Sequence, residues 1–199
     1  MAIDSSRALL SYDDYVALPD TGERFQVIDG VLVMSPSPTL RHQWIVMQLA
    51  SSLNVFVRAH HAGAVFSAPT DAVLVRSRPA VVVQPDVMFV DRVNRSRLEA
   101  SHLRGAPDLA VEVLSPSNAR LDRGRKAALY AEHGVREYWV IPHDADCVEV
   151  YALSHEGTFG RPIVYAPGDR LETALLPGFG IDVAAIFPGP DDLRPDAQG

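Results

Sequence analysis

The sequence predicts an α/β protein in which a single mixed β-sheet is flanked by helices, with a β-hairpin near the N-terminus. Continuous apolar runs such as VVVQPDVMFV and DLAVEVL are typical of strands that are buried on both faces. Apolar residues also recur at helical spacing over about 40–60. A strand at 108–114, a helix and a strand at 137–141 form a β–α–β unit, the connection that joins parallel strands.

Two local signals define the first elements of the chain. Ser11, with Asp14 three residues later, is typical of a capping box and predicts a short helix that ends before Pro19. In RFQVIDGVLVM, the pair Asp29 and Gly30 lies between two apolar runs. This pattern predicts a hairpin closed by a type I′ turn.

A longer helix and two strands follow the hairpin. Thr39 comes after the proline-rich letters SPSP and can cap a helix over about 40–60. Gly63 ends this helical unit. Apolar, β-branched runs then predict strands at 71–75 and 81–90.

Turn signals between apolar runs define the remaining elements. SPSN ends the strand at 108–114, and Gly134 closes the helix that follows. The C-terminal tail is rich in Pro, Gly and Asp, and we expect it to fray. The predicted boundaries are a helix at about 119–133, strands at 137–141 and 148–153, one domain over 1–188 and a tail over 189–199.

Composition excludes several classes of protein. No apolar run approaches the roughly 20 residues needed to span a bilayer, so nothing indicates a membrane protein. The N-terminus lacks the apolar core of a secretion signal. Cys147 is the only cysteine, which rules out an intrachain disulfide and a cysteine-based zinc cluster. These features are those expected of a protein in the reducing cytoplasm.

The net charge of −7 is a poor match to a nucleic-acid partner, but the charge is unevenly distributed. Between residues 92 and 126, basic side chains outnumber acidic ones. Two interpretations of this basic stretch stay open: a solvated loop and helix surface, or a surface that faces phosphate groups. Its basic residues are Arg92, Arg95, Arg97, Arg104, Arg120, Arg123, Arg125 and Lys126.

Lys126 is the only lysine among 18 lysine and arginine residues. The lysine ammonium is a compact point charge whose pKa shifts readily on burial, whereas guanidinium is a planar fork that stays charged. Chemistry that places one small cation beside a reacting oxygen therefore favours lysine. A coding bias against lysine explains the same count, and the count alone does not separate the two.

Asp86 and Glu112 are carboxylates within apolar, strand-like runs. Pro85 cannot donate to a ladder, so we expect the strand beside Asp86 to be irregular or at an edge. An ionised carboxylate that is buried alone is costly, so the pair needs a cation. Mg²⁺ commonly binds one or two carboxylates with waters and phosphates. Arginine partners such as Arg104 or Arg125 are the competing explanation.

The predicted helix after Glu112 brings a cation within reach of these carboxylates. Asp122, Lys126 and Tyr130 follow one another at intervals of four residues, so they share one helix face. If that face packs on the sheet, Lys126 can reach both Asp86 and Glu112.

These residues carry a resemblance to a known group of enzymes. Pro85-Asp86 followed by Glu112-Val113-Leu114 resembles the core of PD-(D/E)XK nucleases, with Lys126 similar to a lysine that has migrated to the following helix. More narrowly, the chain resembles the small bacterial Uma-type family of restriction-endonuclease-like proteins. The matching segments cover about 10–187 and are ERFQVIDG, SPSPTLRHQ, QPDVMFV, GAPDLAVEVLSPSNARLDRGRKAALYAEHGVREYWVI and VEVY.

The resemblance implies a restriction-endonuclease-like fold and metal-dependent hydrolysis of phosphodiester bonds in DNA. Asp86 and Glu112 would hold Mg²⁺, with Mn²⁺ as a substitute, and the carbonyl of Val113 would be a third ligand. Lys126 would orient or deprotonate the attacking water and stabilise charge at phosphorus. A homodimer is compatible with this activity, because one active site cuts one strand.

The chain also departs from the family pattern. Relatives usually read Y-E-L-I-D-G-E where this chain has Gln26 and Val31, and Pro142 replaces an aspartate after the W-V-I strand. These losses favour the alternative function, a weakened or inactive nuclease-fold protein that binds nucleic acid or protein. His42, in a matching segment, either contacts phosphate or water near the site or is a solvated or structural histidine.

Overall fold

A computed structural model describes residues 9–116 and 119–193 of the chain. The first strands are β1 (Phe25–Ile28), β2 (Val31–Met34), β3 (Gly63–Ser67), β4 (Asp71–Val75), β5 (Val81–Val83), β6 (Val87–Asp91) and β7 (His102–Arg104). The later strands are β8 (Leu109–Val113), β9 (Glu137–Ile141), β10 (Val148–Ala152), β11 (Ile163–Tyr165), β12 (Arg170–Glu172) and β13 (Gly180–Asp182).

The helices lie between and beside these strands. A single helical segment near the middle of the chain is interrupted by a π turn, and two short 3₁₀ helices follow β6 and β13. The bounds are α1 (Tyr12–Val16), α2 (Leu40–Ala59), α3 (Ala119–Leu121), the π turn (Asp122–Lys126), α4 (Ala127–Glu132) and the 3₁₀ helices (Arg92–Arg97 and Val183–Ala185). No helix within the described residues is long and apolar enough to cross a membrane.

The described strands form two large sheets and one two-stranded sheet. One large sheet has the order β2-β1-β5-β4-β7, and the other has the order β11-β10-β9-β8-β6-β3. The pairs β8–β9 and β4–β7 are parallel, and the remaining pairs are antiparallel. The predicted mixed α/β class and the β–α–β unit are therefore confirmed.

The prediction of one sheet was wrong, because the apolar run at 81–90 is two strands rather than one. β5 joins the five-stranded sheet and β6 joins the six-stranded sheet. The link between them contains Pro85, which has no backbone N–H to donate, so pairing stops there. This break leaves Asp86 at the start of β6 and at the junction of the two sheets.

The short-range predictions near the N-terminus are confirmed. Ser11 and Asp14 form the capping box of α1, with the Asp14 N–H donating to Ser11 Oγ at 3.2 Å. The hairpin pairs Ile28 with Val31, and its turn residues Asp29 and Gly30 have φ values of 52° and 78°. Two positive φ values in succession are the requirement of a type I′ turn.

Five strands were not predicted from the sequence: β3, β7, β11, β12 and β13. Gly63 begins β3 rather than ending the unit, and β3 pairs with β6 at the edge of its sheet. Gly63 has φ 155°, and a Cβ atom there would lie 2.1 Å from the Val90 carbonyl oxygen. The glycine therefore permits close contact between two strands. In the sequence, a glycine that follows a helix for this reason looks the same as one that ends the helix.

Two apolar clusters cover the two faces of the six-stranded sheet. On one face, Ile45, Leu49 and Leu53 of α2 pack with Val111 and Trp139. On the other face, Ala110 and Val140 pack with the helical segment and the five-stranded sheet; further members are Met88, Leu129, Tyr130, Ala72 and Val83. Since β8 and β9 are buried on both faces, a charged side chain on either strand needs a specific partner.

Part of the predicted tail is covered by the structure. Residues 189–193 are described, whereas 194–199 lie outside the described residues. Ser117 and Asn118, which belong to the predicted strand-ending SPSN, lie outside them as well. Fraying of the tail stays a prediction.

Candidate active site

A pocket of about 320 Å³ opens where the two large sheets meet the start of α2 and the π turn. Its walls come from the hairpin, the Gln84–Asp86 link, the end of β8 and the helical segment. The charged and polar residues that matter for chemistry are Arg24, Gln26, His42, Asp86, Glu112, Asp122 and Lys126. The three predicted catalytic side chains therefore line one cavity, as does Val113, the predicted backbone ligand.

Asp86 connects β8 to the first turn of α2. Its Oδ2 atom accepts the backbone N–H of Val113 at 2.8 Å and lies 3.2 Å from His42 Nε2. Thr39 caps α2 by accepting the His42 N–H at 3.2 Å, which fixes the helix start beside the pocket. Its place in the first turn of α2 thus brings His42 next to Asp86. The sequence alone did not decide whether this histidine lies at the site.

Glu112 projects from β8 toward the helical segment. Its Oε1 atom accepts hydrogen bonds from Lys126 Nζ at 2.9 Å and from the Tyr130 hydroxyl at 2.7 Å. Burial raises the pKa of Glu112 to about 8, and the negative charges of Asp122 and Asp86 act in the same direction, against the effect of Lys126. Burial therefore makes the ionised form of Glu112 costly unless a cation lies beside it.

Lys126 ends the π turn and is almost fully buried, with 3% of its side chain exposed. Its Nζ atom lies 3.0 Å from Asp122 Oδ1 as well as 2.9 Å from Glu112 Oε1. Burial acts to lower the pKa of Lys126, but the two carboxylates outweigh it and raise the pKa above its usual range. The ammonium therefore stays charged at neutral pH.

The helix face predicted for Asp122, Lys126 and Tyr130 is confirmed in its contacts, although the helix is not regular. In the π turn the Ala127 N–H reaches back to the Asp122 carbonyl, which also accepts the Tyr138 hydroxyl at 3.2 Å. π turns are frequent at functional sites. Burial raises the pKa of Asp122, which adds a third carboxylate to the cluster.

The arginine explanation for the buried carboxylates was wrong. Arg104 Nε donates to Glu99 Oε1 at 3.1 Å, and Arg125 pairs with Asp29 on the hairpin. Neither guanidinium contacts Asp86 or Glu112 within the described part of the chain.

The donor set fits a hard divalent cation. Among the residues that the structure describes, no three His, Cys, Asp or Glu side chains form a metal cage. Asp86 and Glu112 nevertheless place two carboxylates in one pocket, and burial raises the pKa of Glu112, an effect that a bound cation would offset. Their hydrogen bonds to described residues use Oδ2 and Oε1 only, so Oδ1 and Oε2 remain for a ligand. Oxygen ligands from one or two carboxylates are what Mg²⁺ commonly takes from a protein.

Only one of the two altered hairpin positions belongs to the site. Gln26 lines the pocket, where its Oε1 atom accepts the Gln84 N–H at 3.0 Å and its Nε2 atom donates to Ser35 Oγ at 3.1 Å. Val31 is 45% exposed and does not line the pocket. The loss of the second carboxylate therefore does not change the pocket wall.

The basic stretch at 92–126 does not form one surface around the pocket. The 3₁₀ helix at Arg92–Arg97 follows the far end of β6, so about 17 Å of strand separates it from Asp86. Arg123 pairs with Glu149, and of the whole stretch only Lys126 among the cations lines the pocket.

Known proteins resemble this chain in sequence and in fold. Residues 12–184 match the family model Uma2, described as "Putative restriction endonuclease". The fold is similar to that of a solved protein from Anabaena variabilis, described as "a putative nuclease belonging to DUF820", with a TM-score of 0.74 and 20% identity. That match covers 89% of this chain and 97% of the other. No match was found among functionally curated proteins. Because the family model spans most of the chain, the protein belongs to the Uma2 family of restriction-endonuclease-like proteins.

Proposed function

We propose that the protein is a metal-dependent endonuclease that hydrolyses phosphodiester bonds in DNA. The observation that carries this proposal is the single pocket that holds the Asp86 and Glu112 carboxylates and the buried ammonium of Lys126. Two carboxylates beside one ammonium are suited to phosphoryl-transfer chemistry, in which catalysis is mostly positioning and stabilisation of negative charge.

In this proposal Asp86, Glu112 and the carbonyl of Val113 hold Mg²⁺, or Mn²⁺ in its place. The bound cation would supply Lewis acidity toward a phosphoryl oxygen and lower the pKa of water. Lys126 is charged and is fixed by Glu112 and Asp122, so it acts as a hydrogen-bond donor. Of the two roles that the family resemblance implies, orientation of the attacking water is therefore favoured over its deprotonation. The same ammonium stabilises the negative charge that develops as the phosphorus–oxygen bond breaks.

His42 and Tyr130 support the carboxylates in this scheme. The Tyr130 hydroxyl donates to Glu112 Oε1, and His42 Nε2 lies 3.2 Å from Asp86 Oδ2. Each contact restricts the rotamer of its carboxylate. Partners of metal ligands generally orient them and tune their basicity. Both residues are therefore positioning residues.

Gln26 favours a second candidate function, a nuclease fold that binds nucleic acid without cutting it. Its amide lines the pocket at the position where relatives carry a carboxylate. If that carboxylate helps relatives to hold a metal ion, this chain, with an amide there, would bind the metal more weakly and cleave DNA slowly.

Purified protein on supercoiled plasmid distinguishes the two functions. We expect nicked or linear product with Mg²⁺ or Mn²⁺, none with EDTA, and none with Glu112→Gln. Glu156→Gln is the matched control, because it removes the same charge from an exposed turn. DNA binding without cleavage under every metal condition would support the second function instead. Cleavage that persists in EDTA would contradict metal dependence.

A further inference from the structure

Arg24 is a cation at the pocket with no partner for its charge among the described residues. It lies just before β1, and its side chain lines the pocket with Asp86 and Lys126. Its Nε atom is buried and has no hydrogen-bond partner in the part of the chain that the structure describes. A buried guanidinium N–H without a partner is costly, so this atom indicates a missing acceptor.

The other arginine of the pocket differs in this respect. Arg41 Nη2 donates to Asp146 Oδ1 at 2.5 Å, so its charge is already balanced. No ion pair joins Arg24 to a carboxylate of the described chain, although three carboxylates line the same cavity. Arg24 is thus the pocket arginine whose guanidinium remains for a ligand.

The backbone holds Arg24 in a fixed position. Its carbonyl oxygen accepts the Ser35 N–H at 2.8 Å, and this bond continues the β1–β2 ladder beyond the pair Phe25 and Met34. A side chain at the base of a paired hairpin is held more precisely than one in a loop, as a binding residue requires.

We propose that Arg24 binds a phosphate group of the substrate strand, next to the phosphate that lies at Asp86 and Glu112. This inference rests on the proposed nuclease function. Guanidinium matches phosphate geometry through two parallel N–H···O bonds, and Arg24 lines the pocket with a charge that no carboxylate of the described chain pairs. The nucleic-acid strand therefore enters across the hairpin base and the first turn of α2, not along residues 92–126.

Fluorescence anisotropy with a short, labelled DNA duplex tests this path. Binding is measured in EDTA, so that no strand is cut, over a range of salt concentrations. Each phosphate contact contributes about 0.7–0.9 to the slope of log affinity against log salt. We expect Arg24→Gln to weaken binding and to reduce that slope by about one contact. Arg161→Gln, which removes an exposed arginine away from the pocket, is expected to leave both unchanged.

A conservative variant separates charge from geometry. Arg24→Lys is expected to keep the salt slope but to bind less tightly than wild type, because an ammonium cannot form the bidentate contact. Equal melting temperatures for all variants show that the changes concern binding. If Arg24→Gln fails to fold, the Arg24→Lys result alone decides, and unchanged affinity there overturns the inference.

Failure of this inference differs from failure of the proposed function. If wild type binds DNA and Arg24→Gln has the same affinity and slope as Arg161→Gln, the strand does not contact Arg24, but the nuclease proposal is unaffected. If wild type binds no DNA in EDTA at any salt concentration, the inference is overturned, whereas plasmid cleavage with Mg²⁺ or Mn²⁺ decides the proposed function separately.

Discussion

Lys126 Nζ lies 2.9 Å from Glu112 Oε1, and the two side chains are only 3% and 5% exposed. A buried ion pair of this kind adds little net stability, since desolvation of both charges offsets their attraction. The pair also opens onto a pocket shared with Asp86. A role in catalysis explains why the Lys126–Glu112 pair is kept despite its desolvation and why it lies beside the pocket.

Replacement of Lys126 should abolish turnover even when the charge is kept. The broad guanidinium of Lys126→Arg cannot occupy the position of the ammonium between Glu112 and Asp122, and Lys126→Met has no charge. We expect both variants to lose about 10²–10⁴-fold in cleavage rate, the usual effect of one positioned electrostatic group. Plasmid nicking rates measure this loss.

The neighbouring cation provides the control for that experiment. Arg125 is exposed and pairs with Asp29, so Arg125→Lys should cleave at nearly the wild-type rate. Full activity in Lys126→Arg would show instead that the only lysine of the chain has no part in the chemistry. Melting temperatures of all three variants establish that folding is retained.

Metal binding should depend on Asp86 and Glu112 together. Each residue gives one carboxylate to the proposed metal site, so Asp86→Asn or Glu112→Gln leaves one of the two proposed charged ligands. We expect either substitution to remove Mn²⁺ binding that is detectable by calorimetry. Glu156→Gln is again the control. Wild-type Mn²⁺ affinity in both pocket variants would rule out this pair as the metal site.

His42 should tune metal affinity through Asp86. Because His42 Nε2 lies 3.2 Å from the Asp86 carboxylate, His42→Ala frees that side chain to rotate. The expected loss of Mn²⁺ affinity is about 10–100-fold, the usual effect of removing a partner of a metal ligand. His155→Ala, at an exposed turn, should have no effect. If the two variants bind Mn²⁺ equally well, His42 does not support the site.

The metal-free protein should become less stable as pH rises from about 5 to 8. The pKa of Glu112 is about 8 in the folded protein, against 4.5 for an ordinary glutamate, so the folded state holds a proton that the unfolded chain has released. Raising the pH therefore favours unfolding across this interval and has no further effect through Glu112 above it. The raised pKa of Asp122 acts in the same direction.

Urea unfolding in EDTA at several pH values measures this dependence. We expect Glu112→Gln to flatten the decline in the free energy of unfolding by more than about 1 kcal/mol, since each unit of pKa difference corresponds to about 1.4 kcal/mol. The raised pKa of Lys126 affects stability only at alkaline pH, outside the interval. Parallel curves for wild type and Glu112→Gln would mean that Glu112 is ionised throughout.

Elements with a local cause were predictable from the sequence. The type I′ turn at Asp29 and Gly30, the capped helix α2 and the parallel strands β8 and β9 each follow from neighbouring residues. The division into two sheets was not predictable, because two apolar runs flank Gln84-Pro85-Asp86 and only tertiary pairing assigns β5 and β6 to different sheets.

The same distinction applies to the site. Asp86 and Glu112 were identifiable because charges within apolar runs are rare, and Lys126 because it is the only lysine; the structure brings all three to one pocket. The contacts of His42 and Arg24 depend on how α2 and the hairpin pack against the sheets. The sequence therefore left two interpretations of His42 open and did not distinguish Arg24 from the other arginines. The π turn also has no marker in the sequence beyond a glycine, Gly124.

The π turn at Asp122–Lys126 holds one residue more than a turn of α-helix, so a deletion of one residue is compatible with the helix on both sides of it. Gly124 makes no contact that a Cβ atom would disturb, so nothing in the packing requires that position. Loss of that one codon would restore a regular helix and change the spacing between Asp122 and Lys126 from four residues to three. Leu129 and Tyr130 would keep their places in the core. Loss of one residue there would therefore alter the Asp122 contact that helps to hold the Lys126 ammonium, while the core around it stays in place.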